Sequence, residues 1–378
     1  MKRIKYLPMF AFCIMVFLIP IMYIVTPDSD FSPLEKRKLS QMPEPTVSKV
    51  FSGEFGEQFE TYLSDQVPLR TFFVGLNSYY NLFSGRNGID GIYKGKDNYL
   101  FVAPVKENPT FDRNLGYICE FLDDISVPSY VCIVPSSGFI YSDMLPANHY
   151  DYNDDKIIDK AFSELSSNTT VPINITDSFM SLSKNEQLYY KTDHHWTSLG
   201  AYECYKLLGE KMNFNPTPKE KFAVQTYSGF KGTNYSKSAL WNMPSENIEL
   251  WKSSLHKEGD ITVTFTENGT TSEYNTMFFK DNLYGDDMYT AFLDGNHAMV
   301  NIKNPNVGNN KKLLILRDSY THCLAPFLAD NYSEITLIDV RYYLSPVSEL
   351  IKENKTDEVL LIYSIDSIVN STDLAGIY

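Results

Sequence analysis

In the last hundred residues, uninterrupted apolar runs of strand length alternate with segments of helical pattern, and few folds accept that rhythm. Residues 313–316 are followed by the break Arg317-Asp318-Ser319 and a helical stretch at 321–329. Residues 335–338 end at Asp339 and lead to a second helical stretch at 347–352, and 359–363 close the series. A strand apolar on both sides must be covered on both. This β-turn-α-β-α-β order therefore predicts an α/β domain: a parallel sheet flanked by helices and joined by right-handed crossovers. In such sheets functional groups gather past the carboxyl ends of the strands. Ser319, Asp339 with Arg341, and Tyr363 with Ser364 all fall at that edge.

The N-terminus sets the expected compartment. Lys2, Arg3 and Lys5 precede an uncharged run over 6–26, and Asp28 and Asp30 follow it. The run has the length a bilayer core demands, and no small-residue cleavage site is evident after it. The charge bias predicts an uncleaved, single-pass signal anchor with the body of the protein outside the cell membrane. Pro8 and Pro20 are tolerated better in a bilayer helix than in a soluble one.

Beyond the anchor at 1–26, residues 27–98 read as a stalk marked by Pro27, Pro33, Pro43 and Pro45, with Glu35, Lys36, Arg37 and Lys38 among them. Apolar spacing over 51–83 predicts two amphipathic helices separated at 65–68. The main domain is expected over 99–378, with strands at 99–102 and 130–134. Thr- and Asn-rich stretches at 261–266 and 275–279 suggest antiparallel strands within a β-rich insertion at about 215–300.

Composition removes several functions. With 33 basic residues against 47 acidic, the chain carries a formal charge of −14 and no basic face, so nucleic acid is not an expected partner. Cys119, Cys132, Cys204 and Cys323 show neither metal-ligand nor redox spacing; outside the cytoplasm a disulfide between two of them is open, but so scattered they read as small apolar residues. The 27 tyrosines suit carbohydrate faces, but equally suit packing with one hydrogen bond each.

A nucleophilic serine needs a base in reach, a carboxylate fixing that base's tautomer, and donors aimed at the developing oxyanion. Ser319, just past a buried strand and just before a helix, meets the first structural requirement; serine at that place also serves simply as a helix cap. The second element is Lys191-Thr192-Asp193-His194-His195-Trp196-Thr197, on the loop entering a helix capped by Thr197 or Ser198. On an extended segment Asp193 and His195 point to one side, so one loop supplies both carboxylate and imidazole, while His194 points away. A zinc site from Asp193, His194 and His195 is the rival reading, weakened because no second ligand pair has suitable spacing. A plain polar surface loop also fits these residues. His322, one helical turn past Ser319, reads as a packed or solvent-facing histidine.

The string 193–196 (DHHW), residues 313–320 (LLILRDSY) and 338–343 (IDVRYY), with 65–70 (DQVPLR) and Gly295-Asn296-His297, resemble the bacterial DHHW family. That family is similar to the SGNH-hydrolase-like proteins that O-acetylate alginate and other exopolysaccharides. The resemblance implies an SGNH-hydrolase-like domain in which Ser319 is the nucleophile, His195 the general base and Asp193 its orienter. It places Arg341 and Tyr363 near the acyl or sugar site, and leaves Trp196, Gly295 and Asn296 as further substrate-side or oxyanion groups. Here the Asp-x-His pair precedes the serine, and Arg317 stands where the Gly-Asp-Ser pattern has glycine. The implied activity is acetyl transfer to an exopolysaccharide or envelope glycan through an acetyl-serine, with no metal or cofactor. Because acetyl-CoA is not available outside the membrane, the donor is expected to come from a membrane-bound O-acyltransferase. The same residues would make a carbohydrate esterase if water attacked instead. A noncatalytic glycan-binding or scaffold protein of the envelope is the reading from another class.

Overall fold

The computed structural model describes residues 6–32, 37–165, 170–257, 259–267 and 269–377. Lys2, Arg3 and Lys5, and Pro33, Glu35 and Lys36 of the stalk, lie outside them. The chain divides into two compact units, Met1–Ile89 with Ser236–Asn242, and Asp90–Tyr235 with Met243–Tyr378. The boundary expected at residue 98 falls inside the second unit, because Ile92–Lys94 and Leu100–Val102 pair there as an antiparallel hairpin.

In the first unit the uncharged run forms the helix Leu7–Val25, of which Pro8–Val25 is long and apolar enough to cross a membrane. Such a helix is compatible with a membrane anchor or a signal sequence. The helices Glu54–Asp65 and Arg70–Phe83 occupy the expected amphipathic stretch, preceded by the short helix Val47–Ser52. Asp65 ends the second of these three, and its carboxylate accepts from the Arg37 guanidinium at 2.6 and 2.9 Å and from the Ser40 N–H at 2.9 Å. Trp241 stacks on Phe72 at 5.7 Å, and only a glycine fits at 75, where a Cβ would lie 2.1 Å from that indole.

The second unit is a mixed α/β fold around an eight-stranded sheet. Its strands in chain order are β1 (Ser129–Val134), β2 (Thr170–Ile173), β3 (Thr262–Glu267), β4 (Thr270–Tyr274), β5 (Met299–Lys303), β6 (Lys312–Arg317), β7 (Glu334–Ile338) and β8 (Glu358–Ser364). They lie in the order β4-β3-β5-β7-β6-β8-β1-β2. From β7 to β2 neighbours run parallel, with Ile315 registered to Leu337 on one side and Leu360 on the other. Alternate residues of β6 enter opposite cores: Leu313 and Ile315 join Leu324, Phe327 and Leu328 of the following helix, while Leu314 and Leu316 meet Phe121, Ile351 and Ile368. Burial on both faces is why these strands are predominantly apolar; buried exceptions are hydrogen-bonded, as Thr336 is to Asn301 and Ser129 to Thr170.

The antiparallel strand expected at 261–266 is present as β3, and it belongs to the main sheet, which is therefore mixed rather than parallel throughout. β5, β3 and β4 continue the same sheet antiparallel beyond β7. Within β3, Val263 and Phe265 are buried while Thr262, Thr264 and Thr266 are only partly covered, a one-sided pattern that an antiparallel edge tolerates. Residues 275–279, expected as strand, are irregular and lead to a short 3₁₀ turn at Lys280–Tyr284. A separate hairpin pairs Phe222–Phe230 with Glu246–Ser253, bulging near Gly229, whose φ is 103°. All five cysteines are free thiols.

Candidate active site

At the end of β6 the chain must turn from a buried strand into the helix Thr321–Leu328, and Asp318 makes that turn. Its carboxylate accepts from the Tyr320 N–H at 3.1 Å, the Ser364 N–H at 2.7 Å and the Ser367 hydroxyl at 2.8 Å, tying the turn to the end of β8. Its carbonyl accepts from the Thr321 N–H and hydroxyl. The helix entrance is thus served by Asp318, and no side chain caps the helix itself. Ser319 is therefore free to present its hydroxyl elsewhere.

It presents it to His195, whose Nε2 lies 2.7 Å from Ser319 Oγ. On the other side of the ring, His195 Nδ1 is 2.6 Å from Asp193 Oδ1. An ionised carboxylate only accepts, so Nδ1–H donates to Asp193 and Nε2 is left to accept from the serine hydroxyl. Asp193 also accepts from the His195 N–H at 2.8 Å and, through Oδ2, from the Thr233 N–H at 2.6 Å. The carboxylate rests on Gly232, where a Cβ would stand 2.1 Å from Oδ2. Burial works to raise the Asp193 carboxyl, but His195, His194 and the hydrogen bonds from His195 outweigh it and hold the group well below the usual carboxylate range.

The loop is not extended. It bends, and Asp193 folds back on the main chain of His195 as an aspartate at a turn does. His194 accordingly does not point away: its ring centroid is 3.9 Å from that of His195, and its Nδ1 is 3.3 Å from Asp193 Oδ1. The three donors of the zinc reading do cluster within 4.8 Å. Yet Asp193 and His195 sit at hydrogen-bond distance, shorter than the roughly 3.3 Å between ligands of a tetrahedral ion with bonds near 2 Å, and both His195 nitrogens are engaged. The donor set fits a proton relay better than an ion.

Two further contacts hold segments distant in sequence: the Trp196 indole N–H donates to the Tyr320 carbonyl, 124 residues on, at 3.0 Å, and the Tyr320 hydroxyl to the His194 carbonyl, 126 residues back, at 2.5 Å. Tyr289 stacks on the His195 ring at 3.9 Å and 9°, and its hydroxyl donates to the Ser319 carbonyl at 3.3 Å.

A family model described as DHHW protein matches residues 124–338, more than half of the chain. The chain belongs to the DHHW family. A comparison with curated proteins finds no match. Among solved structures, a DHHW family protein from Eubacterium siraeum is similar at 24% identity and a TM-score of 0.66, over 77% of this chain and 97% of that one. PatB1 of Bacillus cereus, solved with a sulfonyl adduct, is similar at 20% identity and a TM-score of 0.63, over 76% of this chain and 97% of that one. A second PatB1 structure is similar at 19% identity and 0.59, covering 73% and 96%. At these identities the likeness establishes the fold.

In this DHHW protein two of the other expected site residues, Arg341 and Asn296, meet in a second group. Arg341 donates to the Asp339 carboxylate at 2.8 and 2.6 Å and reaches Asn296 Oδ1 at 3.3 Å. Arg317, in place of the expected glycine, is fully buried, with Nη1 2.6 Å from His322 Nε2 and 3.3 Å from Asp339 Oδ2, and Nη2 on the His297 carbonyl at 3.2 Å. Burial and the adjoining Arg317 push His322 well below its ordinary range, so it is a neutral acceptor. Gly295 takes a φ of 87° in a turn and spends its N–H on the Phe292 carbonyl at 3.3 Å, which removes it as an oxyanion donor. Trp196 and Tyr363 are buried, at 0% and 3% exposure, and Trp196 staples the histidine loop to the serine turn. Tyr289, Gly232 and Thr233 lie outside the sequence expectation, because they act through stacking or backbone and leave no spacing signal; Asp318 is legible only as part of the break after the strand, not in its carboxylate's role in the turn.

Proposed function

We propose that this DHHW protein is a serine-dependent O-acetyltransferase of the SGNH-hydrolase-like type, acting outside the cytoplasm on a hydroxyl of an exopolysaccharide or envelope glycan. The observation that carries the reading is the unbroken Asp193–His195–Ser319 relay, at 2.6 and 2.7 Å, past the carboxyl end of β6. In the first step Ser319 Oγ bonds to the acetyl carbon while His195 takes its proton and passes it to the donor's leaving oxygen. In the second, a sugar hydroxyl gives its proton to His195 and attacks the acetyl-serine; Ser319 leaves and regains a proton. Asp193 holds the imidazole in the required tautomer throughout. The acetyl donor on this reading is delivered by a membrane-bound O-acyltransferase, next to which the Leu7–Val25 helix would anchor the protein.

Transfer rather than hydrolysis is supported by the seclusion of the base. With Tyr289 stacked on it and Tyr320 at its edge, His195 is 5% exposed, which limits access for stray water. A sulfonyl fluoride is the natural probe, since PatB1 of the same fold has been solved with a sulfonyl adduct. The expected result is one adduct, located at Ser319 by mass spectrometry, and no ester turnover or glycan acetylation by Ser319→Ala. Unchanged turnover in that variant would remove the reading.

A further inference from the structure

We propose that Glu246, the first residue of the strand Glu246–Ser253, is a positioning residue for the Asp193–His195 pair; the inference rests on the proposed acyl-transfer reading. Four donors converge on this one carboxylate. Oε1 accepts from the Lys191 N–H and the Gln187 side-chain amide, each at 2.8 Å, and Oε2 accepts from the Thr192 N–H at 2.8 Å and the Thr192 hydroxyl at 2.7 Å. Two consecutive backbone N–H groups immediately before Asp193 thus point at one anion. Bonds to a charged acceptor are about twice as strong as neutral ones.

The reason to place Glu246 in the catalytic apparatus is what its clasp fixes. Thr192, wholly buried, also accepts from the Gly232 N–H at 3.3 Å and, through its carbonyl, from the Tyr235 N–H at 2.9 Å. The next residue in each segment makes the functional contact: Thr233 N–H to Asp193 Oδ2 at 2.6 Å. Lys191 is held on its other side by the Leu100 N–H, which donates to its carbonyl at 2.7 Å. Glu246 therefore locks the register between the bend that carries Asp193 and the turn that supplies its third donor. Without that lock the chain before Asp193 has two unpaired N–H groups and several competing ways to satisfy them. A displacement of about 1 Å at the relay is enough to cost on the order of 10²-fold.

Glu246 lines an open groove with Tyr190, Pro244 and Glu249, so truncating it leaves no internal void and the outcome reports the hydrogen bonds. The test compares Glu246→Ala and Glu246→Gln with wild type in the full-length protein, reading kcat and KM on an acetyl ester, Ser319 labelling by a sulfonyl fluoride, and the downfield proton resonance of His195 Nδ1–H. The expected result is a kcat lowered by about 10²-fold in both variants, KM within about 3-fold, and loss of the downfield signal. Gln matches Glu in size and keeps one acceptor oxygen, but its amide NH2 faces the other pair of donors, so it should fail to rescue; full rescue by Gln would mean that neither the charge nor the second acceptor is needed, and would overturn the proposal. Thr192→Val, which keeps the volume but removes one donor to Glu246 and the acceptor of the Gly232 N–H, should lower kcat several-fold and covers the case in which the Glu246 variants fold poorly. Labelling at the wild-type rate in the Glu246 variants, with Ser319→Ala unlabelled, would reject the positioning role while leaving the acyl-transfer reading intact. Equal activity of Ser319→Ala and wild type would reject both.

Discussion

Asp193 answers to three donors, and the geometry assigns each a separate consequence. Replacing it with Asn puts an amide N–H either against the Thr233 N–H or, in place of Oδ1, against both the His195 N–H and Nδ1–H, and in the second orientation the imidazole is released to its other tautomer. The expected loss in kcat is roughly 10³–10⁴-fold, measured on the same ester as wild type. Gly232→Ala attacks the same carboxylate from below. Its methyl would need the space 2.1 Å from Oδ2, so activity should fall by about 10²-fold while the melting temperature, read by calorimetry, moves little. Asp154 supplies a pH test of a different kind. Burial pushes its carboxyl up to about 6, although the Ser136 N–H and hydroxyl, at 2.7 and 2.6 Å, pull the other way. The folded protein then holds this proton more tightly than the unfolded chain, so the group's contribution is fully present below about pH 4 and is lost as pH rises through about 6. The loss is on the order of 3 kcal/mol. Asp154→Asn, which keeps an acceptor for Ser136, should therefore be more stable than wild type at pH 7 and indistinguishable near pH 4 in thermal unfolding followed across pH. Equal melting curves at pH 7 would refute the assignment.

At the level of elements, the serine turn depends on β8 as much as on β6. Asp318→Ala would orphan the Ser364 N–H and the Tyr320 N–H together, at a cost of about 2–3 kcal/mol in chemical denaturation. Because the same change frees the turn, Ser319 labelling should slow in parallel; intact labelling with lowered stability would show that the turn positions itself without β8. This part of the fold was legible from residues alone. β6, β7 and β8 are buried on both faces, and a mostly apolar run satisfies that demand, so their sequence announces them to within a residue or two. The antiparallel extension was harder to read, since β3 and β5 alternate buried and partly covered residues as an isolated hairpin would. Residues 275–279 have the composition of a strand but no partner strand in the sheet, and become a connection. At the site, the residue types in DHHW and in Asp318-Ser319 were readable, but their geometry was not. Asp193 and His195 meet by a bend rather than by strand alternation, and the ring of Tyr289 reaches His195 from a 3₁₀ turn at Met288–Ala291. Glu246 meets the main-chain N–H groups before Asp193, and Gly232 meets its carboxylate with a bare Cα, relations that no pattern of side chains records.

For the molecule as a whole, the chemistry and the N-terminal helix make linked demands. An apolar helix of this length is worth inserting into a bilayer, and its Pro20 costs less there than in water. If it anchors the chain with the second unit outside, the relay works where acetyl-CoA is absent and glycan acceptors are present, which is why a membrane-borne donor is required on the proposed reading. Two measurements separate the parts of that statement. The full-length chain should stay with membranes through an alkaline carbonate wash, and a chain lacking residues 1–26 should be released into the soluble fraction. In intact cells, a charged sulfonyl fluoride that cannot cross the membrane should modify Ser319 to the same extent as it does after lysis. Labelling only after lysis would put the serine on the cytoplasmic side, where a soluble acyl donor is at hand and no delivering partner is needed. The relay would then keep its chemistry, but the acceptor would have to be an intracellular hydroxyl. The side of the membrane on which Ser319 is modified therefore decides between two substrate classes that one and the same triad could serve.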